Sequence, residues 1–296
     1  MVTTTHPLAG WQPSNAARRR SSPARSPPTK RNPVMPPGLG FTPRQSTPAP
    51  RSPVAPVTPS MSAKEADEVL NSFDDADGLP CMVYVVAYHA LVAGGLIYGH
   101  GVFSITQALL AVFLTINAWV CVCEISLLCY PAHIQRECAG FAMRYGPHTL
   151  PPIFLFRGVR LRDALGLKYW SIMWSTYSSL DASYVDTGSF GYCVDVCNGV
   201  STLVPTVLFA LGMTNHGLLA PRVLGMLGLV SFYQEAYGTV VYFFQFFFNG
   251  RHTLVPRSQV LGIVLPANFI WIAFPALGMW ASARLILDGN FAVFGA

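Results

Sequence analysis

Five stretches of the chain, at about 81–99, 104–130, 189–212, 223–247 and 260–286, are apolar over most of their length. Each approaches or exceeds the roughly 20 residues that a helix needs to cross a bilayer. The pattern predicts an all-α membrane protein with five transmembrane helices. The polar positions inside these stretches are few: His89 in the first, Glu124 in the second, Asp195 in the third and Glu235 in the fourth, with no charge in the fifth before Arg284. A carboxyl inside a spanning helix is costly, so one in each of three successive helices predicts a bundle whose acids share an interior. Gly94-Gly95 and Gly225-x-x-Gly228 are expected to be points of close helix contact.

The connection from Pro131 to Gly188 is long and carries Arg136, Arg144, Arg157, Arg160, Arg162 and Lys168. The positive-inside rule places it on the cytoplasmic side, together with the N-terminal tail and the loop holding Arg251 and Arg257, which agrees with an odd number of spans. Pro151–Phe156 and Tyr169–Trp174 are too short to span. With Tyr169, Trp170 and Trp174 they suit headgroup depth.

Ahead of the spans, residues 1–62 are rich in Pro, Ser, Thr and Arg, have no sustained apolar period, and are expected to be disordered. The same basic, acid-free composition also fits a plastid-type transit segment. Residues 63–80 reverse the sign, with six acids between Glu65 and Asp77, and form an acidic juxtamembrane segment with a short surface helix ending near Gly78-Leu-Pro80. The transmembrane domain then occupies 81–288.

Composition sharpens this picture. Only 11% of residues are charged, and the mean hydropathy is +0.40. Nine of the 19 basic residues lie in 1–64, where there is no acid, so the net charge of +5 belongs to the tail and no nucleic-acid partner is expected. Of the seven cysteines, Cys121, Cys123, Cys193 and Cys197 lie in apolar helical stretches as small hydrophobes, and the spacing of Cys121-Val-Cys123 is wrong for a zinc hairpin. Neither a metal site nor a disulfide is expected.

Trp174-x-x-Tyr177-x-x-x-Asp181-x-x-Tyr184, followed without a gap by Phe190, Cys193 and Asp195, resembles the entry to the third membrane helix in the emopamil-binding protein family. These are the sterol isomerases of the wider EXPERA-domain group. Tyr237-Gly238-Thr-Val-Val-Tyr242-Phe243 resembles the family's Y-G-D-V-x-Y-F, and Asn268-x-x-Trp271-x-x-x-Pro275 its N-x-x-W-x-x-x-P. The resemblance covers about residues 100–286. It implies a five-helix EXPERA-type bundle that moves a ring double bond in a sterol, protonating one alkene carbon and deprotonating a neighbour through a carbocation.

On that resemblance Glu124 and Asp195 are the catalytic-site acids, Asp195 standing where the family has glutamate and within reach of a hydrogen bond from Asn268. Asn268 positions, Trp271 faces the cation, and Tyr184, Tyr237, Glu235 and His89 are further candidates for the substrate pocket. The family pairs its second-span glutamate with a histidine one turn earlier, and that position is Val120 here. His89 is either its replacement or a histidine satisfied by a backbone carbonyl. The chemistry implies no cofactor. Expected partners are a sterol or related lipid, the bilayer and, by analogy, a second copy in a homodimer; the expected location is the endoplasmic reticulum, with a plastid or other organelle membrane as the alternative. Two other functions stay open: non-catalytic sterol or lipid binding, and a structural subunit of a membrane complex.

Overall fold

A computed structural model describes residues 61–62, 64–68, 77–99 and 103–295. The expected disordered or cleavable tail lies almost wholly outside the described residues. Residues 64–68 are helical, started by a capping box in which Ser62 and Glu65 bond reciprocally, with Ser62 N donating to Glu65 Oε2 at 2.8 Å and Glu65 N to Ser62 Oγ at 3.3 Å.

The structure is that of an all-α membrane protein. Among the described residues four helices are long and apolar enough to cross a bilayer: α1 (Cys81–Tyr98), α2 (Ile105–Cys129), α5 (Phe190–Thr214) and α7 (Arg257–Asp288). The fourth expected span, 223–247, falls on helix α6 (Pro221–Phe248). At 28 residues α6 is about 42 Å long, more than the hydrocarbon thickness. It is nevertheless not among the helices apolar enough to cross, because Gln234, Glu235 and Gln245 dilute its apolar run. Between α2 and α5 the chain forms the helices α3 (Pro131–Tyr145) and α4 (Ile172–Tyr177) and a strand, β2 (Gly158–Val159), which pairs antiparallel with β1 (Leu79–Pro80) just ahead of α1; a single helical turn over Leu161–Ala164 follows β2.

Local chemistry explains the boundaries. The Ser104 and Ser189 hydroxyls accept from Gln107 N and Tyr192 N to cap α2 and α5. Proline stands at the first position of α3 and α6, where no backbone donor is needed. Gly146 (φ 93°) and Gly289 (φ 65°) end α3 and α7 in backbone that a side chain rarely adopts. The Leu96 carbonyl near the end of α1 accepts from buried Gln107 Nε2 at 2.8 Å, so one helix satisfies the other's terminus.

Among the described residues three apolar clusters are buried, one of them joining the start of α1 to the α2–α5 connection through Cys81, Phe141, Phe154 and Ile172, and the other two holding the rest of the bundle. One gathers Phe113, Phe209, Phe232, Leu285 and Phe294 with Trp271 and Phe274. The other gathers Leu127, Trp174, Tyr184, Tyr242, Phe246 and Val264. Apolar side chains are equally plentiful outside, among them Leu91, Val200, Val204, Val230, Phe244 and Phe269. A surface of this kind suits lipid, where no hydrophobic force separates inside from outside and close packing decides association.

The glycine expectation holds for one pair and fails for the other. A Cβ on Gly225 would come within 2.6 Å of the Ser282 carbonyl, and one on Gly228 would run into the Phe209 ring and the Ser282 hydroxyl. Around Gly94 and Gly95 a Cβ would meet nothing within 4 Å, so these residues face open space and mark no helix contact. Gly228→Leu is therefore expected to destabilise the α6–α7 contact by about 1–3 kcal/mol through overpacking, whereas Gly94→Leu is neutral. Thermal unfolding of both variants in detergent checks the contrast.

Candidate functional site

The polar residues inside the bundle form a seam along three helices. On α2, Asn117, Cys121 and Glu124 recur at helical spacing and share one face. On α5, Asn198, Thr202 and Thr206 do the same. Asn198 Nδ2 donates to both Glu124 oxygens, at 3.0 and 3.1 Å. Cys121 Sγ meets Thr202 Oγ1 at 3.2 Å. Asn117 Nδ2 donates to Thr206 Oγ1 at 2.9 Å and, across to α6, to Glu235 Oε1 at 2.6 Å. Glu124 and Glu235 are each only 3% exposed. The seam closes tightly at Glu124, because a Cβ on Gly199 would come within 2.5 Å of the Glu124 Cβ. Glu235 Oε2 is buried and finds no hydrogen-bond partner among the described residues.

Asp195 sits one turn before Asn198 on the same face of α5, within electrostatic range of Glu124. It is half-buried, and its carboxyl lies beside the Tyr184 hydroxyl. Tyr184 belongs to an aromatic group, with ring centroids 4.8 Å from Trp174, 5.5 Å from Tyr177 and 6.3 Å from Tyr242. Asn268 Nδ2 donates to Tyr177 Oη and to the Val264 carbonyl, both at 2.8 Å. The polar run entering α5 is pinned from outside: Asp181 accepts from Ser183 N at 2.9 Å and from Arg251 Nη1 at 3.2 Å. That ion pair ties the approach to α5 to the turn after α6, with the Asp181 side chain fully buried.

The candidates named from sequence thus separate into groups. Glu124, Asp195 and Tyr184 come together; Glu235 joins the same seam through Asn117. Asn268 reaches the aromatic group but bonds Tyr177 and its own helix rather than Asp195, because its amide is already directed at the tyrosine hydroxyl. Trp271 packs edge-on to Phe113, 6.1 Å between centroids, in the other apolar cluster. Phe113 is eleven residues from Glu124, about 16 Å along α2, so the indole stands well away from that acid. Tyr237 is 58% exposed and stacks on Tyr233 on the outer surface of α6, because it lies two residues, over half a turn, from inward-facing Glu235. His89 directs Nδ1 to the Val85 carbonyl of its own helix at 2.7 Å and packs edge-on to Trp119. It takes the backbone-satisfied arrangement and has no bond to a carboxyl among the described residues.

Asn117, Asn198, Thr202 and Thr206 belong to the site and are not among the residues that the sequence nominates. Their signal was the recurrence of polar residues every three or four positions in otherwise apolar helices. Among the described residues no group of three or more His, Cys, Asp or Glu side chains is placed to hold a metal ion. No family model, curated protein or solved structure matches the chain.

Asn117→Leu removes the donor shared by Glu235 and Thr206 and leaves a buried carboxyl with neither oxygen bonded. The expected loss is about 1–3 kcal/mol, read as a lower midpoint in detergent unfolding, and it shrinks in the double variant Asn117→Leu/Glu235→Leu, which removes the stranded group as well.

Proposed function

We propose that this chain is a sterol double-bond isomerase-like membrane protein, with α6 completing a five-helix EXPERA-type bundle and Glu124 and Asp195 exchanging protons with the substrate. The observation that carries the reading is the juxtaposition of these two acids with the Trp174, Tyr177, Tyr184 and Tyr242 rings inside the membrane domain. Moving a ring double bond needs an acid to protonate one alkene carbon, a base to take a proton from its neighbour, and surroundings that stabilise a carbocation without supplying water to trap it. Aromatic faces supply such stabilisation. In this chain the rings are Trp174 and three tyrosines beside Asp195, whereas Trp271, which the resemblance nominates, packs elsewhere. Asn268 fixes the Tyr177 hydroxyl and so acts as a positioning residue. The endoplasmic reticulum, where sterols are modified, is the membrane proposed for it.

A second reading, a non-catalytic sterol- or lipid-binding relative, is favoured by two observations. Val120 stands where the family has its relay histidine, and His89 is committed to the Val85 carbonyl and does not replace it.

Expression in a host lacking its own sterol isomerase separates the two readings. The isomerase reading predicts conversion of the accumulated sterol, visible by mass spectrometry, at least 100-fold reduced in Glu124→Gln and Asp195→Asn, since general acid–base catalysis contributes about 10²–10⁴-fold. Tyr237→Phe is expected to convert at the wild-type rate. A stable, membrane-inserted protein that converts nothing supports the binding reading.

A further inference from the structure

All seven cysteines are free thiols, and three of them, Cys129, Cys193 and Cys197, are exposed. Cys129 is the last residue of α2 and Cys193 the fourth of α5. The two helices run antiparallel, with Asn198 opposite Glu124 and Thr206 opposite Asn117, and the close approach of Gly199 to Glu124 sets their register. Moving about 7.5 Å toward the end of α2 and the start of α5, one and a half turns of each, brings Cys129 level with Val194, next to Cys193. Tyr192 is within electrostatic reach of both thiols, so the two lie at one end of the bundle around one tyrosine.

Helix length fixes their depth. α2 and α5 have 25 residues each, about 37 Å, which against a hydrocarbon core of about 30 Å leaves about 4 Å outside at either end of a centred helix. Cys129 then stands among the headgroups and Cys193 at the edge of the hydrocarbon, with Cys197 one turn deeper. This end also carries the connection with Arg136, Arg144, Arg160, Arg162 and Lys168, so by the positive-inside rule it is expected on the cytoplasmic side.

The surface beside the thiols suits an acyl chain. From Cys193 and Cys197 a row of exposed apolar side chains, Val200, Val204, Leu208 and Leu211, continues along α5 at helical spacing into the bilayer. The row runs about 27 Å from Cys193, so a long chain attached at its head lies along it as a lipid tail does. The Cys193 thiol is little committed within the protein, donating to the Thr187 carbonyl at 3.9 Å, a weak bond for a weak donor. Cys121, by contrast, is buried against Thr202.

We propose that Cys129 and Cys193 are sites of S-acylation by a long-chain acyl group, the modification that suits thiols at the membrane boundary. The cysteine sulfur attacks the carbonyl carbon of an acyl-coenzyme A thioester. The new S–C bond forms as the bond to the coenzyme A sulfur breaks, and the proton lost by the cysteine goes to the departing thiolate. No oxidant or reductant takes part, and the inference is independent of the chemistry at the seam. The test feeds alkyne-tagged palmitate to eukaryotic cells expressing the full chain and reads the label on the purified protein before and after hydroxylamine, which cleaves thioesters. The wild type is expected to carry a hydroxylamine-sensitive label, Cys129→Ser/Cys193→Ser to lose it, and Cys197→Ser to keep it. Serine replaces an exposed thiol almost isosterically, so both variants keep the fold. The intact mass of the wild-type chain from the same membranes, which involves no variant, is expected to show added acyl groups. A wild type without hydroxylamine-sensitive label, a double variant that retains it, or its loss in Cys197→Ser overturns the proposal.

Discussion

A polar side chain inside a membrane bundle has no water to turn to, and in this protein that constraint is met by pairing amides with acids. Asn198 serves both oxygens of Glu124, and Asn117 joins Glu235 to Thr206. Each pair spans two helices, so the register of α2 against α5 and of α2 against α6 is set by these few bonds. An apolar surface can slide along another at little cost; a buried carboxyl that loses its donor cannot. The helices therefore have one arrangement in which both oxygens of Glu124 and one of Glu235 are served, and among the described residues Glu235 Oε2 is left without a donor.

Packing follows from that arrangement. Gly199 lets α5 come close enough for Asn198 to reach Glu124, and Gly225 and Gly228 let α6 approach α7. The outward faces remain apolar because lipid lies against them. Charged groups gather in the connections, where the Arg251–Asp181 pair fastens the entry of α5 to the far turn of α6.

The class of the protein was plain from hydropathy, and the helices fall where the apolar stretches lie to within a few residues. The number of spans was less legible. α6 has the length, but Gln234, Glu235 and Gln245 reduce its apolar character, and Gln234 and Glu235 find their partners, Ser201 and Asn117, only in the assembled bundle. The acids were visible one at a time because a charge in an apolar run stands out. Their donors were not, since asparagine and threonine are tolerated in membrane helices and a partner 74 or 118 residues away leaves no local mark. α3 escaped notice for another reason: its mixture of His133, Arg136, Glu137 and Arg144 reads as a polar connection, and its helical start rests on Pro131 alone. Tyr237 shows the limit of a motif carried over by position, because its neighbour Glu235 takes the inward face and the tyrosine is left outside.

The claim at the centre of this account is that the paired acids handle protons on an apolar ligand and do more than hold helices together. The most direct measurement is solvent-deuterium incorporation: the purified full chain is incubated with a ring-unsaturated sterol in heavy water, and the recovered sterol is weighed by mass spectrometry. The account predicts product carrying one deuteron at the carbon that receives the proton, formed by the wild type and not by Asp195→Asn. Recovery of bound but unlabelled, unshifted sterol would contradict it and leave the seam a purely structural device.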